Sequence, residues 1–544
     1  MKMKYNIFSL IIIVLFFTNC YDDKGSNSYH DINTIEIGEF PNFENNITIG
    51  DVLDIKPELT FSSGVETENL TYTWTYCGKT RPEWNKKDFH WVTDTIALGQ
   101  LALRITDPNT GVTYIQSKTY EVYSKFNAYG WIILGDKDQK SYLTFIKESI
   151  EENETGEEVW ADIVYEDVYK QQNNSELGSI PIKIHEHFCN TYGNSNLVGN
   201  IMIVQQGGQG MVDLDGFAFQ KEITIDEAFA NNALPADFKP INTMSMKRVD
   251  LIENYDGKIF SRVKPNDQLF HSSSYLQTPV TLDGEELHAH IHLSTFVYCG
   301  FATLHDFENN RLVLVLDQTI NNGLTNVNKP LVMPGKPSDD IESVPADWVP
   351  LDNLGDNELI HLGYYRPDPY DAYSSQCVGF FMILKDKDGK YWTQDFIINR
   401  DWNISDVYLN NCKRNEIDLA PYINSNSVIY TLPYGEESDY VLISKDKELY
   451  LYCRNSPKDG IKPYYTCSGN VTAINAEKYR HRHAGIGMDN GQFIILNMKD
   501  GKNLTNEEKL IWKTPEETNL GKIVDVRFKV GSGNEWSWSN ANKK

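Results

Sequence analysis

The chain has 544 residues, of which 40% are hydrophobic and 23% are charged, and this composition excludes a mini-protein or a wholly disordered chain. Fifty Lys and Arg residues stand against 76 Asp and Glu residues, and the net charge of −26 argues against nucleic acid as a partner because it repels a phosphate backbone. Aromatic residues make up 12% of the chain and favour strands over helices. We therefore expect an all-β protein with more than one domain.

The chain begins with the features of a secretion signal. Lys2 and Lys4 precede an apolar stretch over residues 7–17, which is too short to span a bilayer as a stable helix. Cys20 follows shortly afterwards, at the place where bacterial lipoproteins are cleaved and acylated. We therefore predict a signal peptide over residues 1–19 and a mature protein that acyl chains on Cys20 hold on a membrane. An ordinary signal peptide with an incidental cysteine is the alternative.

A polar segment separates Cys20 from the first predicted strand. Residues 20–32 are rich in Gly, Ser, Asn and Asp, a composition typical of a flexible tether. The acidic pair Asp22 and Asp23 resembles the surface-export signal of lipoproteins in the Bacteroidetes. This resemblance implies that the protein faces the cell exterior from the outer membrane. A solvated spacer without a signalling role is the alternative.

The cysteines do not form the pattern of a disulfide scaffold. With Cys20 in the anchor, seven scattered cysteines remain, and this odd number leaves at least one free thiol. No CxxC pair is present, which excludes a zinc ribbon and a thioredoxin-like motif. Cys453 and Cys467 are spaced to pair across a hairpin, but we favour their separate burial as small hydrophobic residues.

Residues 33–123 have the pattern of a small β-sandwich. Apolar and polar residues alternate in short runs, as in LTYTWTY, where Tyr72, Trp74 and Tyr76 share one face of a strand. Turn residues separate the runs, and one turn has the sequence DPNTG. Six or seven such strands in about ninety residues predict an immunoglobulin-like sandwich.

Three segments in this part of the chain resemble the PKD-like domain of a family of Bacteroidetes lipoproteins: CYDDKGSNSYHDINTIEI, YTWTY and LALRITDPNTGVTY. The resemblance covers the first 125 residues. It implies a sandwich with Trp74 in its core, and a module that spaces a larger domain from the membrane or docks on a neighbour. It also implies an accessory role beside a SusC/SusD-type outer-membrane transporter.

The remaining residues, 125–544, have a repetitive pattern of strand pairs. Short apolar strands turn at acidic or Gly-rich tips and return through aromatic residues, at intervals of about fifty to seventy residues. Four-stranded blades arranged in a ring bury such strands on both faces, so we predict a β-propeller of about seven blades. Two or three tandem sandwiches are the alternative, with residues 331–350 as the strongest candidate linker. We expect one short helix over residues 225–238 and another within NLTNEEKLIWKT.

One run of histidines invites comparison with a metal site. His288, His290 and His292 alternate in LHAHIHL and project from one face of a strand. Same-face side chains lie nearly 7 Å apart along a strand, whereas zinc ligands lie about 2 Å from one ion, so the triplet alone makes a poor tetrahedral site. We predict no metal or other cofactor. The histidines considered as additional ligands are His185, His187, His481 and His483.

Linear signatures of catalysis are absent from the sequence, including HExxH, GxSxG, the P-loop and the Rossmann glycine triplet. Acidic runs at residues 136–138, 213–216 and 385–390 lack the glutamate that completes a calcium loop, and we interpret them as hairpin tips. We therefore expect a protein that is not an enzyme. A surface glycoside hydrolase, lyase or peptidase is the alternative, since active sites of propellers are assembled from distant loops.

The segment GYYRPDPYDAYSS is the richest candidate for ligand binding. Exposed tyrosines offer flat apolar faces with a polar rim, and proline limits the entropy lost on binding. The expected ligand is an oligosaccharide or a peptide. Aromatic packing between blades is the alternative. The candidate residues are Tyr364, Tyr365, Arg366, Tyr370 and Tyr373.

Overall fold

A computed structural model describes most of the chain after the polar segment. Strands dominate the described residues, and none of the helices among them is long and apolar enough to cross a bilayer. The chain divides into two compact units between Tyr123 and Ser124. The described residues are 32–43, 47–126, 128–148, 150–152, 158–160, 163–190, 197–246, 248–265, 270–292, 301–317, 327–338, 342–365, 377–400, 407–433, 439–477, 482–499 and 504–529.

The N-terminal unit is built from eight strands and one 3-10 turn at Pro82–Trp84. Strands β2, β8, β7 and β5 form a four-stranded sheet in that order, while β1 pairs with β4 and β3 pairs with β6. All pairs are antiparallel except β2 with β8. The strands are β1 (Ile35–Ile37), β2 (Ile47–Thr48), β3 (Val52–Ile55), β4 (Leu59–Phe61), β5 (Thr71–Tyr76), β6 (Phe89–Val92), β7 (Ala97–Thr106) and β8 (Thr113–Tyr123).

An aromatic cluster forms the centre of this unit. Trp74 is fully buried, as predicted, and its ring lies 5.1 Å from that of Phe40 and 4.9 Å from that of Phe89. Trp84 and Trp91 extend the cluster. The indole N–H of Trp74 donates to the Lys86 carbonyl at 3.1 Å, so the buried polar atom of this ring is satisfied.

The second unit is a ring of seven antiparallel sheets, numbered here as blades 1 to 7. Blade 1 begins with three strands and an accessory hairpin, β11 with β12. The described residues form three strands in blade 3 and four in each of the other blades. Blade 1 and its accessory hairpin begin with β9 (Gly130–Lys137), β10 (Lys140–Lys147), β11 (Ile150–Glu152), β12 (Glu158–Trp160) and β13 (Ile163–Tyr165). Blade 2 consists of β14 (Ser179–Asn190), β15 (Leu197–Gly207), β16 (Val212–Asp215) and β17 (Lys221–Thr224). Blade 3 consists of β18 (Pro240–Ser245), β19 (Val249–Asn254) and β20 (Ile259–Val263), and the accessory hairpin of β21 (Thr281–Leu282) and β22 (Glu285–Glu286) follows it.

Blades 4 to 7 repeat one order of strands, from the innermost to the outermost. Blade 4 consists of β23 (Ala289–His292), β24 (Phe301–Asp306), β25 (Arg311–Leu316) and β26 (Pro330–Val332), and blade 5 consists of β27 (Glu358–Tyr365), β28 (Cys377–Lys385), β29 (Tyr391–Arg400) and β30 (Val407–Ile417). Blade 6 consists of β31 (Ile429–Thr431), β32 (Tyr440–Lys445), β33 (Glu448–Cys453) and β34 (Ile461–Thr466), and blade 7 consists of β35 (Val471–Ala476), β36 (His483–Met488), β37 (Phe493–Asn497) and β38 (Leu510–Lys513).

The last strand of the chain closes the ring. Strand β39 (Lys522–Lys529) pairs with β9 on the side opposite β10, so the two ends of the propeller share blade 1. The same strand packs against β14 of blade 2 and β35 of blade 7. Lys529 reinforces this closure because its buried ammonium group donates to the Phe126 carbonyl at 3.1 Å and to the Ala128 carbonyl at 3.3 Å.

A buried hydrophobic cluster joins each pair of neighbouring blades, including blade 7 and blade 1. The prediction of a propeller with about seven blades is therefore confirmed, and the alternative of tandem sandwiches is wrong. Residues 331–350 are not a linker between domains. Met333 and Trp348 from this stretch pack into the cluster between blades 4 and 5.

The predicted helices are present but shorter than expected. Residues 225–238 give helix α2 (Ile225–Ala228), which follows α1 (Val168–Asn173), and a 3-10 turn at Ala230–Asn232. Helix α2 begins with a capping box of Thr224 and Glu227 and stops at Phe229, whose extended backbone places its ring in the core. The segment near the C-terminus gives α3 (Asn506–Lys509).

Two of the three acidic runs are hairpin tips, as predicted. Asp138 lies in the turn between β9 and β10, and residues 386–390 join β28 to β29. The third prediction is only partly correct, because Asp213 lies inside β16 and is buried, and the turn begins at Asp215. This aspartate is the centre of the site described next.

Candidate functional site

A buried polar network lies between blades 2 and 3. Blade 2 supplies Asp213 from β16, and blade 3 supplies Arg262 from β20. The described residues after β20 do not add a fourth paired strand to blade 3, and among them His271 and Tyr275 lie beside Asp213 and Arg262. The Tyr275 backbone exchanges hydrogen bonds with residues of the α2 segment, donating to the Ala228 carbonyl at 2.9 Å.

Asp213 is held between two histidines. The Nε2 atom of His187 lies 3.0 Å and 3.1 Å from the two carboxylate oxygens of Asp213, and the Nε2 atom of His271 lies 3.0 Å from Oδ2. Burial alone raises the pKa of Asp213, but both histidines outweigh it and hold that pKa well below its ordinary value. Asp213 is therefore a buried carboxylate that carries its charge.

Glu222 approaches the same imidazole from β17. Its Oε2 atom lies 3.4 Å from Nε2 of His271 and accepts a hydrogen bond from the side-chain amide of Asn200 at 2.7 Å. Burial lowers the pKa of His271, but the carboxylates of Asp213 and Glu222 more than offset it, so this pKa is raised. The cluster is therefore suited to hold a proton on Nε2 of His271.

The same three residues form a group of converging metal-ligand atoms. Donor atoms of Asp213, Glu222 and His271 all lie within 4.8 Å of one another. Among the residues described, this is the one group of three or more potential metal ligands that converge in this way. Three protein ligands are one fewer than a closed structural zinc site uses and equal the number in an open catalytic site. In addition, Nη1 of Arg262 lies 3.3 Å from Nδ1 of His271, and this positive charge opposes a cation. The geometry favours a proton over a metal ion.

A second set of charges lies beneath this cluster. Asp250 accepts from Nε of Arg262 at 2.7 Å and from Nζ of Lys264 at 2.8 Å, and it also bonds the Ser245 hydroxyl. Burial opposes the ionisation of Asp250, but Lys264 and Arg262 hold its pKa well below the ordinary value. Two cations thus share one carboxylate, which leaves one positive charge in excess within this set.

His185 completes the buried network. Its Nε2 atom accepts a hydrogen bond from the Ser245 backbone N–H at 2.9 Å, so the proton of the neutral ring is on Nδ1. Burial lowers the pKa of His185 far below its ordinary value, and the positive charge of Arg527 acts in the same direction. His185 is therefore a neutral structural imidazole at ordinary pH.

A small pocket of about 10 Å³, which is room for about one water molecule, lies beside the network. Arg262 and Tyr275 line it, and the guanidinium carbon of Arg262 lies 4.6 Å from the centre of the Tyr275 ring. Within the described part of the chain, the Arg262 Nη2 atom and the Tyr275 hydroxyl are buried and have no hydrogen-bond partner. The apolar lining consists of Met202, Met211, Val212, Ile223, Ile225 and Ala228.

The tyrosines chosen from the sequence have a different role. Tyr365 is 6% exposed and its ring is covered by Arg454, with 3.5 Å between the guanidinium carbon and the ring centre. Tyr364 is partly buried and packs against the cluster between blades 4 and 5. Tyr365 therefore does not offer the exposed ring that was expected, because packing between blades uses it.

Several candidate residues lie outside the described part of the chain. They are Cys20, Asp22, Asp23, Arg366, Tyr370, Tyr373 and His481.

The three alternating histidines contact separate neighbours. Nδ1 of His288 lies 3.1 Å from the Asp256 carbonyl oxygen, and Nδ1 of His290 lies 2.8 Å from Oε1 of Glu253. The His292 ring lies 6.3 Å from that of His305. Among the described residues, these three histidines do not form a converging ligand group.

The sequence analysis missed Asp213, Glu222, His271, Arg262 and Tyr275 as a group. A signal was present for Asp213, which lies between Val212 and Leu214 within one strand. Its side chain points to the opposite face from theirs, and where a neighbouring blade covers that face the charge must be paired.

Comparisons with known proteins give a family match and several remote structural matches. Residues 20–181 match the PKD-like family. No curated protein matches the sequence.

Solved structures with a similar arrangement include three remote matches. A quinonprotein alcohol dehydrogenase-like protein from Bacteroides thetaiotaomicron is 12% identical, with 90% of this chain and 100% of that chain covered and a TM-score of 0.39. Apo AztD from Citrobacter koseri is 10% identical over 85% and 100% of the two chains, with a TM-score of 0.32. BamB from Moraxella catarrhalis is 9% identical over 76% and 96%, with a TM-score of 0.28. Residues 20–181 therefore resemble the PKD-like family, and the second unit forms a seven-bladed β-propeller.

Proposed function

We propose that the protein is an outer-membrane lipoprotein that faces the cell exterior and binds a nutrient for a SusC/SusD-type uptake system without transforming it. The order of its parts supports this role. A predicted lipid anchor at Cys20 and a polar tether precede a PKD-like domain, and the propeller follows. Anchor, spacer and binding body are the components that a tethered capture protein requires.

The pairing of the charged groups beside the pocket is the observation that supports a binding role. Asp213 is paired with two histidines, and Asp250 is paired with Arg262 and Lys264. A general base or a nucleophile must be able to reach a substrate atom, whereas these groups are committed to one another. Such pairing gives a rigid wall, which suits recognition because little freedom is lost when a ligand binds.

Affinity purification of the tagged protein from outer membranes of its native host tests the proposal. The wild-type chain is expected to recover a transporter of the SusC/SusD type together with its own acylated N-terminus. The Cys20→Ala variant is the matched control and is expected to lose both the acyl chains and the transporter. Recovery of the same proteins with both variants, or of no transporter with either, would contradict the proposal.

Orientation is tested separately on intact cells. An added protease is expected to degrade the surface-exposed wild-type protein while a periplasmic marker remains intact. Complete protection of the propeller in intact cells, followed by degradation after lysis, would place the protein on the periplasmic side instead.

A surface enzyme that acts on the same class of ligand is the second candidate. The observation that favours it is the convergence of Asp213 and Glu222 on His271, whose raised pKa suits a proton donor. Incubation of purified protein with peptide and oligosaccharide panels distinguishes the two roles. Turnover that disappears in a His271→Gln variant would establish the enzyme, whereas intact ligands in both samples support the binding protein.

A further inference from the structure

The β8 edge of the four-stranded sheet in the sandwich is open. Strand β8 pairs with β7 along its whole length, but on its other side β2 covers only the last two residues of β8. Among the described residues, the stretch 113–119 therefore has no neighbouring strand on that side. This stretch is accessible to another chain, because Thr113 and Thr119 are exposed and Ile115 is 57% exposed.

The register of β8 shows which backbone groups this edge presents. The N–H of Asp107 donates to the Val112 carbonyl at 3.0 Å in the same register as the pairing of β7 with β8, so the even-numbered residues of β8 bond to β7. The N–H and C=O groups of the odd-numbered residues therefore point outward. In agreement, the N–H of Ser117 bonds the side-chain oxygen of Gln116 at 3.3 Å rather than a backbone acceptor.

This edge lacks the usual features that prevent pairing with another chain, which are a charge, a proline or a bulge. Residues 113–117 have the sequence TYIQS, without a charge or a proline, and the register with β7 continues along them without a bulge. The next residue, Lys118, donates from its ammonium group to the Phe40 carbonyl at 2.7 Å, so its charge is held within its own unit. The edge is therefore suited to accept an added strand.

The sequence of the edge is complementary to a second copy of itself. In antiparallel pairing about a two-fold axis at Ile115, this residue lies opposite its own counterpart, and Thr113 lies opposite Ser117. Apolar pairs and hydroxyl pairs of this kind stabilise a sheet, whereas like charges in direct opposition destabilise it. Lys118 lies opposite Val112 in this register, so like charges do not meet.

The same register also matches the outward-facing main-chain groups. Thr113, Ile115 and Ser117 are the residues whose N–H and C=O groups point away from β7. In the two-fold arrangement they lie opposite one another in three hydrogen-bonded pairs, of two bonds each. Each free donor of one copy thus meets a free acceptor of the other.

We propose that the β8 edge binds a second copy of this chain, antiparallel and centred on Ile115, so that two sandwiches share one continuous sheet. Such an interface uses the same surface on both copies and is complete with two of them. The inference goes beyond the proposed function, because it concerns the sandwich and makes no use of a ligand or a transporter.

Sedimentation velocity of purified residues 20–544 carrying Cys20→Ala, and therefore without acyl chains, tests the inference. We expect a reversible equilibrium in which the fraction of dimer rises with protein concentration. A chain that remains monomeric up to about 1 mM would overturn the inference, because the edge would then be free for a strand of a different protein.

The variant Ile115→Lys places two positive charges opposite each other at the two-fold axis. It is expected to weaken the dimer by about tenfold or more, and the exposed position of Ile115 leaves folding intact. Leu98→Lys is the matched control, because Leu98 is 68% exposed on β7, a strand that is paired on both sides. This control is expected to dimerise as the wild type does. Equal dimerisation of Ile115→Lys and the wild type would contradict the proposed interface.

A mixing experiment tests the two-fold register directly. Ile115→Glu is expected to be as weakly associated as Ile115→Lys, since each variant alone sets like charges against each other. An equimolar mixture of the two is expected to form a mixed dimer, because opposite charges then face each other across the axis. If the mixture associates no better than either variant alone, position 115 does not lie opposite itself and the proposed pairing is wrong.

Discussion

Among the described residues, buried ion pairs occur in the propeller, whereas the ion pairs of the sandwich are exposed. In the sandwich, Arg81 and Asp94 form a two-pronged ion pair in which the side chains are 33% and 52% exposed. In the propeller, Arg262 and Asp250 form a pair that is 1% and 0% exposed. Water screens the first pair, whereas neighbouring side chains alone compensate the second.

This difference assigns different physical roles to the two regions. The aromatic cluster around Trp74 is the main stabilising feature of the sandwich, and the ion pairs of this unit lie on its surface. The propeller also has apolar cores between blades, but it buries charges that are tolerated only in one arrangement. A site that depends on fixed positions of polar atoms is therefore better placed in the propeller.

The largest expected effect comes from removing a buried charge. The substitution Asp250→Asn leaves the cations Arg262 and Lys264 without their shared carboxylate. We expect the free energy of unfolding of the propeller to fall by about 3–5 kcal/mol, the usual result of breaking a buried pair. Urea unfolding followed by fluorescence measures this loss. A change below about 1 kcal/mol would show that the network is not essential to the propeller.

A smaller effect is expected at the closure of the ring. The substitution Lys529→Met removes the hydrogen bonds to the Phe126 and Ala128 carbonyls. We expect a loss of about 1–3 kcal/mol in the free energy of unfolding, because buried carbonyls lose their donor. Lys522→Met, at the exposed start of β39, is the matched control and should leave stability unchanged. Equal losses in the free energy of unfolding at both positions would argue against a specific role of Lys529 in closing the ring.

Acid is expected to affect the propeller through imidazoles whose pKa is lowered by their surroundings. Burial lowers the pKa of His292 to about 3 and that of His361 to about 4, from an ordinary value of 6.5. Between pH 6.5 and pH 4 the unfolded chain therefore binds protons that the folded chain does not, and stability falls as pH falls. The described residues of the sandwich include no buried histidine.

The variant His361→Gln isolates this acid effect. Glutamine can retain a hydrogen bond to the Thr431 hydroxyl, which lies 2.8 Å from Nε2 of His361. Its melting temperature should decline less than that of the wild type between pH 6.5 and pH 4. Burial raises the pKa of Asp317 to about 6, so this residue makes stability rise as pH falls and opposes the effect of the histidines. Both proteins contain Asp317, so the difference between their pH profiles reports on His361 alone. Parallel pH profiles for the two proteins would contradict the assignment.

The smallest effect is expected for the exposed pair of the sandwich. The substitution Asp94→Asn is chemically the same as Asp250→Asn, but it breaks a pair that water surrounds. Hydrogen bonds from Arg81 lower the pKa of Asp94 to about 2, and solvent screening limits the stability that this represents. We expect a loss of less than about 1 kcal/mol. A loss as large as that at Asp250 would remove the distinction between the two regions.

The sequence predicted those features that local patterns encode. Alternation placed Trp74 on the inner face of a strand, and recurring hairpins predicted the propeller. Contacts between distant residues were beyond its reach. Lys529 and Phe126 are 403 residues apart, and no local feature marks β39 as the partner of β9. Likewise, the pairing of Asp213 with His271 depends on the path of the chain after β20.

The predictions for Tyr365 and Asp213 differ from the structure for a related reason. Tyr365 has the composition and neighbours of a binding loop, and only the approach of Arg454 from blade 6 shows that its ring is covered. The sequence predicts a turn at Asp213 because Asp and Gly favour turns, but strand β16 runs from Val212 through Asp213 to Asp215. Burial of a polar residue is decided by the neighbouring blade.

The central claim is that the propeller holds its ligand without changing it. The most direct test is to incubate the purified chain with a tryptic peptide mixture and an oligosaccharide mixture, and to analyse retained and released material by mass spectrometry over time. We expect a subset of compounds to be retained in stoichiometric amounts and recovered intact. Products that accumulate beyond one equivalent, or no retention of any compound, would contradict the account.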